Sequence, residues 1–230
     1  MGMDIDDFCA GGYLPASFLD WEGHVAAVIF VSGCNFSCPW CHNRDLVLGT
    51  APDLPMGDIL ADIRRRGKFL DGVVVSGGEP CMWPGIKPLL MALKETGLPV
   101  KLDTNGSLPD VLFELLAGKL VDFVAMDVKA PFDAAALKKV TGVDVSPDDI
   151  RKSVSLIRSH APDYEFRTTY VSGLLTKDDL LSVRESLDDD SHWVVQCFRP
   201  VNCLDDSYLN HPADSADSVK EMLPGISVRG

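Results

Sequence analysis

Positive charge is scarce in this chain of 230 residues: 21 Lys and Arg stand against 34 Asp and Glu, a formal charge of −13. Without a basic excess there is no counterion-release drive toward a phosphate backbone or an anionic lipid surface, so no nucleic-acid partner and no membrane partner is expected. Long hydrophobic runs are missing as well. The longest, residues 25–31, is seven residues, against the roughly 20 that span a bilayer. The acidic start, Met1-Gly2-Met3-Asp4, has neither the positive n-region nor the apolar stretch of a secretory signal, and a cytoplasmic protein is expected. No GxxxxGK[ST] or GxGxxG segment occurs, which removes the phosphate-cradling and Rossmann readings. Seven cysteines, an odd number in such a context, point to reduced thiols and metal ligation over a disulfide framework.

What is present is core material. Hydrophobic residues make up 46% of the chain, and its length predicts one domain over 1–230, with an irregular leader (1–20) and an irregular tail (200–230). Six short apolar runs, 24–31, 72–76, 100–103, 122–128, 165–171 and 193–198, alternate with helical periodicity at 56–68, 84–96, 108–119, 134–140, 147–160 and 177–187. Pro84 suits a first helical position, where its missing N–H leaves nothing unpaired. The alternation predicts an α/β fold with parallel strands buried on both faces. Polar residues and glycines gather after the first four runs: Ser32-Gly33-Cys34, Gly77-Gly78-Glu79-Pro80, Thr104-Asn105-Gly106 and Lys129-Ala130-Pro131. In such folds ligand sites collect at the carboxyl ends of the strands.

The first of these places carries Cys34-Asn35-Phe36-Ser37-Cys38-Pro39-Trp40-Cys41-His42-Asn43, a CxxxCxxC arrangement. Soft thiolates select zinc, copper(I) or iron–sulfur clusters. Four cysteines close a cluster, whereas Cys34, Cys38 and Cys41 on a cubane of four irons leave one iron open to a substrate. A zinc site completed by His42 is the competing reading, but structural zinc usually pairs two knuckles, and no second CxxC knuckle exists here. Cys9, Cys81, Cys197 and Cys203 form no further set and read as small buried hydrophobes.

The CxxxCxxC loop with Trp40 before its third cysteine, followed by Gly77-Gly78-Glu79-Pro80 after the second run, resembles the signature of the radical S-adenosylmethionine (SAM) enzymes. Cys41-His42-Asn43, the leader Ser17-Phe18-Leu19-Asp20-Trp21-Glu22-Gly23, Asp103-Thr104-Asn105-Gly106 and Met126-Asp127-Val128-Lys129 further resemble the glycyl-radical-enzyme activating proteins. Within these the chain is most similar to activators of anaerobic ribonucleoside-triphosphate reductase, with similarity to pyruvate formate-lyase activating enzymes. It departs from them in two places. Glu22 stands where those leaders commonly carry Pro, and Phe198-Arg199-Pro200 stands where the formate-lyase activators carry a His.

The resemblance implies an open, partial (β/α)6 barrel with the radical SAM core. It implies one 4Fe-4S cluster on Cys34, Cys38 and Cys41, and SAM held beside the Gly77–Pro80 turn, whose acid, Glu79, meets the SAM amino group. It implies a monovalent cation near Asp103 and Asp127, with Thr104 at hand, and a cytoplasmic low-potential donor such as flavodoxin or ferredoxin. One-electron cleavage of SAM would yield a 5′-deoxyadenosyl radical that takes hydrogen from a glycine of a glycyl radical enzyme. From the residues alone, Gly77 and Gly78 let backbone approach a ligand closely. Asp103 and Asp127 need partners at the ends of buried strands. Lys129 could neutralise them, and Arg167 could reach SAM, a substrate carboxylate or a buried acid. Two alternatives remain at this point. One is a radical enzyme of the 7-carboxy-7-deazaguanine synthase kind, acting on a small molecule; the other is a zinc- or cluster-binding interaction module. Arg64-Arg65-Arg66 reads as an exposed helix end or as a docking patch for an acidic donor.

Overall fold

A computed structural model describes residues 5–230; the acidic start, residues 1–4, lies outside them. Two short strands come first, Cys9–Ala10 (β1) and Gly12–Ser17 (β2), then Ala26–Val31 (β3), a helix Arg44–Leu48 (α1), Leu54–Pro55 (β4) and the helix Met56–Arg66 (α2). Strand and helix then alternate through Gly72–Gly77 (β5), Ile86–Lys94 (α3), Val100–Thr104 (β6), Pro109–Ala117 (α4) and Phe123–Asp127 (β7). Two helices, Ala134–Thr141 (α5) and Pro147–His160 (α6), precede Tyr164–Tyr170 (β8). Lys177–Ser186 (α7), Trp193–Cys197 (β9), Ala216–Met222 (α8) and Ser227–Arg229 (β10) complete the chain.

The six apolar runs are β3 and β5 to β9, in one mostly parallel sheet of order β10-β9-β8-β7-β6-β5-β3-β2. Its outer face packs on the helices through Ile29, Val31, Val73, Val75, Leu102, Met126 and Phe166, all at 0% exposure. No helix among the described residues is long and apolar enough to cross a membrane. The inner face is divided. On β3 and β5 it is apolar, with Ala26, Val28 and Val74 covered by Trp21 of the leader. Gly72 makes room for that ring, since a Cβ there would lie 2.6 Å from Trp21 Cζ3. On β6 to β9 it carries Lys101, Asp103, Asp127, Glu165, Arg167 and Gln196 among the apolar Phe123, Ala125 and Val194.

Both ends of the chain depart from the irregular leader and tail expected. The leader supplies β2, antiparallel to β3, with its register broken between Leu14 and Ser17. Pro15 lies in that break, where it has no N–H to give a ladder. The tail supplies a turn at Asp206–Asn210, α8, and β10, which runs parallel to β9. Pro84 is not a first helical residue. Pro80 takes that position in a short 3-10 turn, Pro80–Met82, because the Glu79 carboxylate caps it through Cys81 N, and α3 begins only at Ile86. The two edge strands, β2 and β10, do not pair with each other, so the barrel is open along one side. Arg65 and Arg66 turn back to Asp62 on α2 itself, the exposed helix end of the two readings.

Candidate active site

After β3 the chain leaves the sheet through Gly33, at φ +90, and crosses above the strand ends as a loop held by its backbone. Gly33 N donates to Leu46 O at 2.9 Å, Ser37 N to Thr141 O at 2.8 Å, and Cys41 N to Cys38 O at 3.0 Å. Asn43 Nδ2 donates to Gly77 O at 2.6 Å, tying the loop to the second turn. The tail closes over it from outside: Leu204 N donates to Cys41 O at 2.9 Å and Asp205 N to Pro39 O at 2.8 Å. The loop therefore brings Cys34, Cys38 and Cys41 to the wall of one cavity, with Phe36 and Trp40.

Burial pushes the Cys34 thiol up to about 11, against the lowering pull of the Phe36 N–H. It pushes Cys38 up to about 12, against that of Lys129. Bare, these thiols hold their protons, and a metal centre must displace them. Among the described residues no three Cys, His, Asp or Glu side chains are grouped as a single ion would require, whereas in a cluster each thiolate takes a different iron. His42 does not turn inward. Its Nε2 lies 2.7 Å from Arg199 O and its ring stacks on Phe198, so it completes no zinc set with the three thiols.

The Gly77-Gly78 turn is pressed against the root of this loop. Gly78 N donates to Val31 O at 2.9 Å and Glu79 N to Gly33 O at 2.8 Å. A Cβ on Gly78 would lie 1.9 Å from Gly33 O, and one on Gly77, at φ +119, would lie 2.4 Å from Val31 O. No other residue fits. Glu79, 1% exposed, stands behind the turn and Pro80 beside it; neither lines the cavity, which Gly77, Gly78, Thr104 and Asn105 do. Its carboxylate accepts from Cys81 N at 2.9 Å, Thr104 Oγ1 at 2.7 Å and Asn105 N at 2.7 Å. It thus braces the second turn against the third. Burial raises its pKa, the three donors opposing.

Asp103 and Asp127 lie at the ends of β6 and β7 and line the same cavity with Lys129 and Arg167. Arg167 Nε is 2.8 Å from Asp127 Oδ1, and Lys129 Nζ is 2.8 Å from Asp127 Oδ2. Burial works to raise the Asp127 pKa, but the two cations outweigh it and hold the carboxyl well below the usual carboxylate range. Lys129 also lies over the Trp40 ring, 4.9 Å from its centroid. Asp103 accepts from Ser76 Oγ at 2.9 Å through Oδ2. Its Oδ1 has Lys101 at 3.1 Å and Arg167 at 3.5 Å as ion-pair partners, yet receives no aligned hydrogen bond.

Several residues of the site carry no role in the sequence reading. Asn35 accepts from Asn105 Nδ2 at 2.9 Å and donates to Ser107 Oγ at 2.8 Å, joining the cysteine loop to the third turn. Asn43, Ser76 and Asn105 line the cavity. The runs Cys41-His42-Asn43 and Asp103-Thr104-Asn105 pointed to these positions, but which side chain turned inward was not in the pattern. Of the other cysteines, Cys81 and Cys203 are buried as expected, Cys197 is partly covered, and Cys9 is exposed. None of them lines the cavity.

The residues fit a cluster with SAM beside it. Three thiols share one wall, two glycines open the backbone, and two buried polar atoms, Trp40 Nε1 and Asp103 Oδ1, have no hydrogen-bond partner among the described residues. A family model for the radical SAM superfamily matches residues 28–187. The chain belongs to that superfamily. Radical SAM enzymes carry the 4Fe-4S cluster and SAM, and this chain is such an enzyme. It is 32% identical over 214 residues, 92% of its own length and 88% of the other's, to a Methanocaldococcus jannaschii protein that bears the name of a glycyl-radical enzyme activating enzyme. It is 25% identical to the 7-carboxy-7-deazaguanine synthase of Bacillus cereus over 79% of this chain and 82% of that one. Among solved radical SAM folds, Streptococcus suis SuiB bound to its precursor peptide SuiA superposes with a TM-score of 0.65 at 16% identity, over 88% of this chain and 47% of that one.

Proposed function

We propose that this radical SAM enzyme activates a glycyl radical enzyme, with an anaerobic ribonucleoside-triphosphate reductase as the first partner to test. The observation that carries the reading is the single cavity on which Cys34, Cys38, Cys41, Gly77, Gly78, Asp103 and Arg167 converge from separate strand ends. The similarity to the named activating enzyme along nearly the whole of both chains supports the activator class. In this reading the three cysteines hold the cluster, and Gly77 and Gly78 present bare backbone to SAM. Glu79 keeps that turn and the Thr104-Asn105 turn in register from behind, through the hydrogen bonds it accepts from Cys81 N, Thr104 Oγ1 and Asn105 N. Both carboxylates expected beside a monovalent cation already face protein cations, Asp127 those of Arg167 and Lys129 and Asp103 those of Lys101 and Arg167.

When bound, the cluster and SAM supply a one-electron cleavage that yields a 5′-deoxyadenosyl radical. The protein's own part is orientation and exclusion. Trp40 and Phe36 wall the site against water, and the acids and bases below are fixed by pairing with one another. A low-potential flavodoxin or ferredoxin in the cytoplasm is the donor this chemistry calls for.

The test is anaerobic reconstitution with iron and sulfide, then reduction with dithionite in the presence of SAM and the reductase. About four irons per chain, 5′-deoxyadenosine, and a glycyl radical signal by electron paramagnetic resonance are expected. 5′-Deoxyadenosine without a glycyl signal from any glycyl radical enzyme overturns the activator reading in favour of a small-molecule substrate. Zinc in place of iron and no SAM cleavage return the chain to an interaction module.

A further inference from the structure

The three thiols are not held alike. Asn35, one residue past Cys34, closes a ring of side chains with the third turn: its Nδ2 donates to Ser107 Oγ at 2.8 Å, Ser107 Oγ donates to Asn105 Oδ1 at 2.6 Å, and Asn105 Nδ2 donates back to Asn35 Oδ1 at 2.9 Å. Ser37, one residue before Cys38, donates through N to Thr141 O at 2.8 Å. Gly142 leaves room for that approach, since a Cβ there would lie 2.8 Å from Ser37 O. Cys34 and Cys38 are thus tied to the barrel.

Cys41 is tied to the tail. Among the described residues, every hydrogen bond that residues 39–42 make outside their own loop goes to residues 199–205. Asp205 N donates to Pro39 O at 2.8 Å and Leu204 N to Cys41 O at 2.9 Å. Asn202 Nδ2 donates to His42 O at 3.0 Å, and His42 Nε2 lies 2.7 Å from Arg199 O. Arg44 fastens the same segment, donating to Cys203 O at 3.1 Å and to the Asp206 carboxylate. On either side of Cys41 the loop is held otherwise: the Trp40 ring is buried beneath Lys129, and Asn43 donates to Gly77 O. Cys41 itself has no hydrogen bond to a strand or helix of the barrel among the described residues.

The tail segment is lightly built. Residues 199–205 contain no helix or strand, and of them Cys203 alone is buried. Asn202 takes a left-handed φ of +50, which Asn and Gly tolerate better than other residues, and from there its amide reaches His42 O. None of residues 199–206 lines the active-site cavity, so the segment acts on the cluster only through the cysteine loop. A few hydrogen bonds on exposed backbone open at low cost. The ring beside Cys34 is firmer, because each of its three side chains both gives and accepts. We propose that Asn202 and Arg44 are positioning residues for the third cluster thiol: the tail is a clasp on the Cys41 corner of the loop, and its opening sets how fast the cluster is lost. The proposal stands on the three-cysteine centre and is independent of the substrate the enzyme takes.

The test uses the full chain, reconstituted without oxygen. Iron release to bathophenanthroline disulfonate is followed by absorbance, and amide hydrogen exchange is read in the same protein. Asn202→Gly suits the backbone at φ +50 and loses only the side-chain donor; Arg44→Gln loses the cation. Each is expected to speed iron release about two- to ten-fold. Each also speeds exchange at the Leu204 and Asp205 amides, which donate to the loop, while the Ser37 amide, which donates to Thr141 O, stays at the parent rate. Arg44→Lys returns both readouts toward the parent. A general loosening of the fold would move all three amides together. Parent rates of iron release in both Asn202→Gly and Arg44→Gln, or exchange at Ser37 rising in step with Leu204 and Asp205, overturns the proposal. Neither readout involves a substrate, so failure here leaves the activator reading standing, and a missing glycyl radical leaves the clasp standing.

Discussion

The two halves of the sheet are built on opposite terms. β3 and β5 are apolar on both faces up to Ser76, and their ends carry a loop of three thiols and a pair of glycines that tolerate no side chain. β6 to β10 present side chains, a ladder of acids and bases facing the barrel interior. In the first half the turn and the root of the cysteine loop are in backbone contact, so a Cβ on Gly77 or Gly78 would clash with Val31 or Gly33. The second half is adjustable, since ion pairs can be exchanged for substrate contacts. A cofactor that must sit the same way each turnover belongs on the first, and a substrate that enters and leaves belongs on the second.

Substitutions on the two sides should therefore fail differently. The largest effect belongs to the thiols: Cys38→Ala is expected to take iron after reconstitution from about four per chain to near none, read by iron analysis and visible absorbance. Next is Arg167→Met, which leaves Asp127 and Asp103 without their shared cation. A loss of about 3–5 kcal/mol in denaturant unfolding is expected, with the cysteine loop still competent to take iron where the protein is folded. A drop below 1 kcal/mol would show that the ladder is not a structural unit. Gly78→Ala should cost about 1–3 kcal/mol, because its Cβ meets backbone at Gly33, and should weaken SAM binding while iron content after reconstitution stays near the parent value.

The pH response separates the halves again. The folded pKa of Asp127 is depressed, so its contribution is present above the ordinary carboxylate range and is lost as pH falls through that lower value. Glu79 is raised by burial, so its ionisation opposes folding, and stability declines as pH rises from the unfolded value through the folded one. Unfolding free energies of Asp127→Asn and Glu79→Gln measured from pH 3 to 7 should bend in opposite directions against the parent, and parallel curves would contradict this account. The smallest effect is Glu22→Gln, with less than about 1 kcal/mol of stability and unchanged iron content.

Much of this was legible in the chain. The six strands followed from short β-branched runs, and the cysteine loop and Gly77-Gly78 turn were visible because their chemistry depends on residue type and local spacing. The edge strands were not. β2 contains Gly12 and Pro15, and β10 is only three residues long, so neither has a pattern of its own; each exists because a neighbour offers an unpaired edge. Arg167 could be read as a ligand or as a buried ion pair, and it is both an ion-pair partner and a wall of the cavity. Glu79, expected beside SAM, braces two turns from behind, because two of its donors, Thr104 Oγ1 and Asn105 N, come from a strand end 25 and 26 residues on.

By itself the sequence determined which atoms are available: three soft donors in eight residues, a turn without Cβ atoms, and acids at strand ends in a chain with few bases. Only the tertiary structure decided which acid meets which base, and that Arg229 on one edge strand bonds to Glu22 ahead of β3 at the other. Residue type and local conformation are properties of adjacent positions. Charge pairing and the gap in the barrel depend on how eight strands curl, and that is settled by packing between residues far apart in the chain.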